Sequence, residues 1–382
     1  MKKILFITTR NPFSGRFSGD VIRAKNFIKF LSRNNYVKVI SSDNKNSKKK
    51  DSRFSYEGFR DPNFIFKIFF IFISLIRFQP LQLGYFHSPK IKKFVENNYK
   101  NYNFIFFQSF RSAQYLPENC KNGILDMADL VSKNYEQTSK RLFFFNPLRI
   151  IYLIESFLLK NYERNCFINF QKILLHSRKE INTIEKKFKK KIIQYSFGIN
   201  QIKKKYKFGL SNYKIIFIGN IKYLPNKNAC YQFVNEIMPS IIKKYPNIEF
   251  HIIGDISKID KFFLEKKENT KVFGKVDNLD PYMNRAICGL ANLKVSAGIQ
   301  TKLLTYMSYG IPSICSKQVA ENFDAIKESK ISSYKNNDEL IKIIYKLKTN
   351  RIFSLSSSKR ALKTISKFKW DKILQFLNKT LK

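Results

Sequence analysis

Short apolar runs, each followed by a polar loop and then a helical pattern, recur along this chain. The first run is Lys3–Thr9, after which a loop containing Pro12, Gly15 and Gly19 leads to an amphipathic stretch over 21–34. A run that is apolar throughout, rather than alternating, is typical of a parallel strand covered on both faces. The repeated order of strand, loop and helix therefore predicts an α/β fold built on parallel sheets.

The same pattern begins again after a charged, lysine-rich stretch at 180–213. Lys214–Gly219 is a predicted strand ending in glycine, and further strands are predicted at 249–254, 271–276 and 288–291. A chain of 382 residues is long enough to bury two ordinary cores. We therefore predict two Rossmann-like domains, at 1–190 and 191–365, followed by a terminal helix at 366–382.

The stretch Val295–Ser316 carries the most specific pattern. A small-residue loop containing Gly298 precedes a helical pattern, which Gly310 ends in a left-handed conformation and Pro312 cannot continue. Free backbone N–H groups and the positive end of the helix dipole make such a helix start a phosphate cradle, and Lys302 adds a formal charge. The alternative interpretation is an ordinary strand–helix unit with a surface lysine.

The sequence G-I-Q-T-K-L-L-T-Y-M-S-Y-G-I-P of this stretch resembles the donor-binding signature of family 4 glycosyltransferases. The resemblance is to the branch of sugar transferases that serve exopolysaccharide synthesis. Matching positions in order are Gly298, Lys302, Met307, Gly310 and Pro312. Two positions depart from the wider family, because Ala297 and Thr305 stand where that family carries paired glutamates.

Similar matches occur in both halves of the chain. They are Gly19, Asp20 and Arg23 in the first half, and Gly219, Tyr223, Pro225 and Asn226 in the second. The resemblance implies the B-type glycosyltransferase fold (GT-B), in which two Rossmann-like domains face a cleft. It assigns the acceptor to 1–190 and the nucleotide-sugar to 191–365, and it implies that the helix at 366–382 returns to the first domain.

The resemblance also implies an activity, namely transfer of a hexose-type sugar from a nucleotide-sugar to a cell-surface polysaccharide or lipopolysaccharide acceptor, with retention of configuration. The implied donor contacts are Gly219, Asn226, Gly298, Ile299, Gln300, Thr301, Lys302 and Thr305. No metal and no resident cofactor are expected. Because the paired glutamates are missing, two alternatives stay open: a catalytically reduced binding or scaffold subunit, and a sugar-nucleotide epimerase of the same fold.

Three residues are candidates for the catalytic step. The charge of Lys302 would stabilise the leaving diphosphate, which needs no metal. Arg23 is expected to face the cleft from the first turn of a helix for which Asp20 is a candidate N-cap. Asp126 follows a predicted strand and is expected to be exposed at the sheet rim, either as an acceptor-side acid or as an N-cap. The acceptor is expected to enter from the first domain, near Gly19, Arg23, Arg111 and Asp126.

The formal charge of +43 invites a nucleic-acid interpretation. Lysine, asparagine, isoleucine, phenylalanine and tyrosine are abundant together, which is typical of an AT-rich genome, so we expect no nucleic-acid partner. Attraction to nucleotide phosphates and anionic lipid remains a consequence of the charge. The five cysteines form no CxxC pair and the first residues lack a signal-peptide cleavage pattern, so we expect a reduced, cytoplasmic protein.

Two aromatic segments raise the question of a membrane. Residues 64–78 and 141–152 combine phenylalanine and isoleucine with arginine, but the first is too short to cross a bilayer. A buried helix is the more ordinary interpretation of 64–78, and a helix lying in the membrane interface is the alternative. We predict peripheral attachment to the inner face of the cytoplasmic membrane.

Overall fold

A computed structural model describes residues 1–14, 18–43, 46–294, 300–322 and 331–381. The chain forms two compact units, the first comprising Met1–Ser196 and Leu374–Lys382 and the second Phe197–Ile373. Aromatic contacts show why the chain divides where it does. Phe376 packs on Tyr195 of the first unit at 5.6 Å between ring centroids, whereas Trp370 packs on Phe197 of the second at 5.0 Å.

The first unit is built on an eight-stranded sheet with the order β3-β4-β2-β1-β5-β6-β7-β8. All neighbouring strands are parallel except β3 and β4. The strands are β1 Lys3–Thr8, β2 Tyr36–Asp43, β3 Ser47–Lys50, β4 Phe54–Arg60, β5 Phe104–Gln108, β6 Gly123–Ala128, β7 Lys172–Leu175 and β8 Ile192–Gln194.

Helices and loops cover both faces of this sheet. They are α1 Gly19–Leu31, α2 Phe64–Ile76, α3 Leu81–Tyr85, α4 Pro89–Asn98, α5 Val131–Arg141, α6 Pro147–Asn169, α7 Arg178–Asn182 and α8 Lys186–Lys189. Strands β1 and β5 are buried except at their first residues, which explains why their sequences are almost wholly apolar. The lysine-rich stretch after Asp43 forms the edge strand β3, where exposed lysines are tolerated because one side faces solvent.

The second unit has a six-stranded, wholly parallel sheet with the order β11-β10-β9-β12-β13-β14. Its strands are β9 Lys214–Ile218, β10 Glu249–Ile253, β11 Thr270–Gly274, β12 Ala286–Ala291, β13 Ser313–Ser316 and β14 Ser332–Tyr334. Its helices are α9 Leu224–Gln232, α10 Met238–Lys244, α11 Lys258–Glu265, α12 Asp280–Met283, α13 Thr301–Ser308, α14 Lys317–Glu321, α15 Asn337–Thr349, α16 Arg351–Ile365 and α17 Trp370–Ile373; α18 Phe376–Thr380 lies in the first unit.

The predicted α/β class and the two parallel sheets are confirmed. In the second unit the chain leaves β9 towards β10 and β11, and later adds β12, β13 and β14 on the other side of β9. The strand order therefore reverses between β9 and β12. In open parallel sheets, the crevice at the carboxyl ends of such a pair of strands is where ligands bind.

Helix α2 is not buried, so the ordinary interpretation of residues 64–78 is wrong. Phe69 and Phe72 are 53% and 59% exposed, and Ser74 is the one residue of this helix that is fully buried. The beginning of α6 is equally exposed, with Phe157 at 63%. Across the described ranges, no helix combines the length and the apolar character needed to cross a bilayer.

Candidate functional site

The carboxyl ends of β9 and β12 bring together two buried polar side chains. Asn226 lies in the first turn of α9, which follows β9, and Lys302 lies in the first turn of α13, which follows β12. The Lys302 ammonium donates a hydrogen bond to Asn226 Oδ1 at 2.8 Å. Both residues are almost inaccessible, at 5% and 8% exposure. The fold thus joins two residues that are 76 positions apart in the sequence.

The surrounding backbone fixes the orientation of Asn226. Its Nδ2 donates to the Asn220 carbonyl at 2.8 Å, which leaves Oδ1 turned towards Lys302. A Cβ atom on Gly219 would lie 3.0 Å from that Nδ2, and a Cβ on Gly254 would lie only 1.7 Å from the Gly219 carbonyl oxygen. Gly254 also has a φ of +142°, so the strand ends approach so closely that glycine is needed there.

The electrostatic environment of Lys302 is unusual for a buried cation. Its ammonium lies 3.8 Å from the centre of the Phe217 ring, and within the described residues no carboxylate lies at ion-pair distance. Burial lowers the pKa of Lys302 to about 7. A neutral amide and an aromatic face stabilise the ammonium only in part, so an anion placed beside it would gain a strong charge-assisted contact.

The remaining predicted donor contacts surround the start of α13. Gln300 immediately precedes the helix and Thr301 is its first residue. Thr305 is half-buried, and its hydroxyl donates to the Thr301 carbonyl at 3.2 Å, within the same helix. Two further predicted contacts, Gly298 and Ile299, lie outside the described residues, as does Ala297. The left-handed conformation predicted for Gly310, just after the helix, is confirmed by its φ of +75°.

Arg23 and Asp126 meet in the first unit. Arg23 Nε lies 2.6 Å from Asp126 Oδ2, and the Tyr195 hydroxyl donates to the other carboxylate oxygen at 2.5 Å. Asp126 is fully buried, so the expectation that it is exposed at the sheet rim is wrong. The physical reason is that β6 lies between β5 and β7, and the side chain of Arg23 reaches the carboxylate from α1.

This network has already satisfied its charges. Burial opposes the charge of Arg23, but attraction to Asp126 and its neighbours outweighs burial and raises the pKa of the guanidinium. Beside it, His176 Nδ1 donates to the Tyr195 carbonyl at 3.1 Å, and burial lowers the pKa of His176 to about 3. His176 is therefore a neutral, packed histidine at physiological pH.

Asp20 does not cap α1. The helix begins at Gly19 with Ser18 as its N-cap, and Asp20 lies in the first turn, where its carboxylate accepts from Arg10 at 2.8 Å. An acid in the first turn is favoured by the helix dipole even when it is not the cap. The sequence pattern therefore placed the acid at the correct end of the helix, but as the N-cap rather than as the second helical residue.

Sequence reasoning did not predict that Arg10 and Phe86 lie near Arg111. The Arg111 guanidinium donates to Gln82 Oε1 at 2.6 Å and lies 4.7 Å from the centre of the Phe86 ring. The Arg10 guanidinium lies over the same ring at 5.7 Å. Burial, and then the proximity of Arg10, lower the pKa of Arg111. Both guanidinium groups lie beside one aromatic ring, but Arg10 is already paired with Asp20. Arg111 is therefore a second candidate anion-binding residue, and only the fold brings these sequence segments together.

Comparison with known proteins bears on the second unit first. Residues 212–350 match the protein-family model described as "Glycosyl transferases group 1". This range includes Gly219, Asn226 and Lys302, the residues assembled at the ends of β9 and β12. No curated protein sequence matches the chain.

Solved structures resemble the whole chain. Sucrose-phosphate synthase from Thermosynechococcus elongatus superposes with a TM-score of 0.72 at 12% identity, covering 99% of this chain and 98% of that one. HepE from Anabaena, solved in complex with UDP and glucose, gives 0.66 at 11% identity, covering 100% and 99%. TarM gives 0.67 at 11% identity with the same coverage. These similarities establish the GT-B fold, and the family match indicates a glycosyltransferase domain at residues 212–350.

Proposed function

We propose that this chain transfers a sugar from a nucleotide-sugar donor to a saccharide or lipid-linked saccharide acceptor during synthesis of a cell-surface polysaccharide or lipopolysaccharide. The observation that carries the proposal is the buried Lys302 ammonium at the reversal point of the second sheet, held by an amide and a ring rather than by a carboxylate. The resemblance to the exopolysaccharide branch of family 4 glycosyltransferases supports the substrate class.

The donor diphosphate would lie at the first turn of α13, against backbone N–H groups and Lys302. As the bond between the anomeric carbon and the diphosphate breaks, negative charge grows on the leaving oxygen. A fixed positive charge at that place stabilises the transition state more than the bound donor. The resemblance favours retention of configuration, and the proposed step uses neither a metal nor a resident cofactor.

The acceptor would bind to the first unit. Arg111, which lies beside the ring of Phe86 and is bonded to the neutral amide of Gln82, is suited to an acceptor carrying a phosphate or another anionic group. Arg23 and Asp126 would act by holding α1 in place, because their charges are already paired. We place the reaction in the cytoplasm, at the inner face of the cytoplasmic membrane, where a lipid-linked acceptor would be available.

The test is release of nucleoside diphosphate from a panel of sugar nucleotides, with and without lipid-linked acceptors. UDP-sugars come first, since HepE was solved with UDP-glucose. We expect release with one donor, accelerated by an acceptor and lost in Lys302→Met. Release that is equal in wild type and Lys302→Met would contradict the proposed site.

The same reaction mixtures separate the other candidates. The replacement of the family's helix glutamate by Thr305, whose hydroxyl bonds within its own helix, is the observation that favours a scaffold subunit. Such a protein would turn over no donor, with or without an acceptor. An epimerase would convert the donor sugar without an acceptor, which chromatography of the recovered sugar nucleotide detects.

A further inference from the structure

Helix α2 has its amphipathic pattern inverted. Residues Lys67, Phe70, Ile71 and Ser74, at helical spacing, form the side that contacts the first unit, and they include both polar residues of this helix. The opposite stripe, which faces outward, consists of Ile65, Ile68, Phe69, Phe72 and Ile76, each 53–76% exposed. A helix on the surface of a protein in water places its apolar stripe inward, so α2 is not built for contact with water.

The first half of α6 is inverted in the same way. Its acid Glu155 is buried and accepts hydrogen bonds from the backbone N–H of Leu81 at 2.8 Å and from the side chain of Gln82 at 3.2 Å. Ser156 also points inward, donating to the Ser132 carbonyl. Outward-facing residues of this half are Ile150, Ile151, Leu153, Ile154 and Phe157, preceded by the exposed phenylalanines 143–145.

The two inverted segments belong to one part of the first unit. Helix α3 contacts both, because the bonds from Glu155 hold its first residues, and Gly84 lies so close to α2 that a Cβ would meet the Phe70 carbonyl oxygen at 2.3 Å. We define the aromatic surface as the outward residues of 64–78 and 143–157. The thirteen outward residues named above are each 43–80% exposed, and so many large apolar side chains in one part of a surface mark an interaction site.

Charge identifies the partner. Residues 62–80 and 137–154 contain no acid, whereas Arg77 at the end of α2 and Lys160 on α6 are exposed. Lys67, which faces inward, is paired with Asp61 at 3.1 Å. An apolar, aromatic surface fringed by cations complements an anionic bilayer. A second copy of this chain is disfavoured because each copy carries a formal charge of +43.

We propose that the aromatic surface binds anionic phospholipid bilayers, with α2 and the first half of α6 inserted at the level of the headgroups and the upper acyl chains. This inference deepens the membrane location within the proposed function. Vesicle binding is measured without any donor, and donor turnover is measured without vesicles, so failure of either is distinguishable from failure of the other.

The test is co-sedimentation of the full chain with vesicles of phosphatidylcholine alone or mixed with phosphatidylglycerol. We expect binding to the mixed vesicles, weakened but not abolished by salt, since salt screens the charges and leaves the apolar insertion. The double variant Phe69→Glu/Phe72→Glu should lose binding by roughly tenfold or more, because two charges would enter the interface.

A matched control exists on α11 of the second unit, where Phe262 and Phe263 are also about half exposed and in contact with each other. Phe262→Glu/Phe263→Glu should bind vesicles as the wild type does. Circular dichroism and urea unfolding of each variant show whether the fold is retained. A fluorescent reporter adds an independent measurement: Phe72→Trp should show a blue-shifted emission on mixed vesicles, and Phe262→Trp should not.

Several outcomes would overturn the proposal. They are absence of wild-type binding to mixed vesicles at low salt, equal binding by the folded Phe69→Glu/Phe72→Glu variant, and an equal loss in the α11 control. A lipid-free dimer that Phe69→Glu/Phe72→Glu dissociates, without vesicle binding by the wild type, would assign the surface to a second copy instead.

Discussion

Each of the two units buries a cation near the carboxyl ends of its parallel strands, and the two cations are held in different ways. Arg23 in the first unit forms an ion pair with Asp126, whose second oxygen accepts from Tyr195. Lys302 in the second unit has an amide oxygen and the face of Phe217 beside it. The first cation is neutralised by the protein, and the second, among the described residues, is not.

Burial of a charged residue therefore does not by itself show whether that residue has a structural or a ligand-binding role. A buried ion pair is a fixed structural feature, and removing one partner leaves an uncompensated charge. A buried ammonium without a carboxylate has a depressed pKa, and it becomes fully stable as a cation only when an anion arrives. Both residues are buried cations, but the presence of a carboxylate partner gives Arg23 a structural role, and its absence within the described part of the chain gives Lys302 a role in ligand binding.

The largest expected effect tests the structural half of this contrast. Arg23→Met leaves the Asp126 carboxylate buried without its partner, and we expect the free energy of unfolding to fall by about 3–5 kcal/mol. Urea unfolding followed by circular dichroism measures this. The double variant Arg23→Met/Asp126→Asn should recover most of the loss, since the new amide oxygen still accepts from Tyr195. A loss below about 1 kcal/mol in the single variant would contradict the role of the pair.

The second effect tests the ligand-binding half. Lys302→Met should lower the affinity for free nucleoside diphosphate by about tenfold to a hundredfold, because one charge-assisted contact to phosphate is lost, and should leave the fold at least as stable. Calorimetry measures both. Lys271→Met is the control, because Lys271 in the same unit is already paired with Glu249 at 2.7 Å. Equal affinity in wild type and Lys302→Met would make Lys302 a structural lysine.

A third prediction concerns pH. The folded-state pKa of Lys302, about 7, lies below its ordinary value of 10.5. Between these values the unfolded chain binds more protons at this group, so its contribution to stability rises with pH, by at most about 1.4 kcal/mol per pH unit. Affinity for nucleoside diphosphate should fall over the same window as the ammonium loses its proton.

Burial also lowers the pKa values of Lys133, Lys214 and Lys348, so the measurement is a difference between two proteins. Unfolding free energy and nucleotide affinity are followed from pH 6 to pH 9 in wild type and in Lys302→Met. Both pH-dependent components should be absent from the variant. Parallel curves for the two proteins would show that Lys302 keeps an ordinary pKa and would remove the contrast with Arg23.

The smallest effect concerns Thr305. If a ribose binds at this position, Thr305→Glu should keep or improve donor affinity, by about 1–2 kcal/mol at most, since a carboxylate reaches farther and accepts more strongly than a hydroxyl. Thr305→Gln is the control, because its side chain is as long as that of glutamate but carries no charge. It shows whether the length or the charge of the new side chain changes the donor affinity. A Thr305→Glu protein that is less stable and binds no nucleotide would favour the scaffold interpretation.

Much of the fold could be predicted from local patterns. Uninterrupted apolar runs predicted β1, β9 and β10 within a residue or so of their observed ends, because strands covered on both faces leave no polar alternation. The end of α13 was predicted equally well, since Gly310 adopts a conformation that other residues avoid and Pro312 cannot continue a helix.

Burial was where sequence reasoning failed. Asp126 was predicted to be exposed because it is polar, but it is buried. The ordinary interpretation of α2 was a buried helix because its sequence is apolar, but it is exposed. Arg23, which is 103 positions away from Asp126 in sequence, offsets the free-energy cost of burying that acid. No local pattern contains that partner.

The sequence by itself determined the class of fold, the positions of the main strands and the helix start that carries Lys302, since these follow from periodicity and from the stereochemistry of glycine and proline. The partners of each buried cation depend on the tertiary structure. Lys302 gained Asn226 and Phe217, while Arg23 gained Asp126 and Tyr195. The order of the strands determines these partners, because it brings strand ends that are distant in sequence close together. Electrostatic energies depend on the distance between the groups in space and not on their separation along the chain.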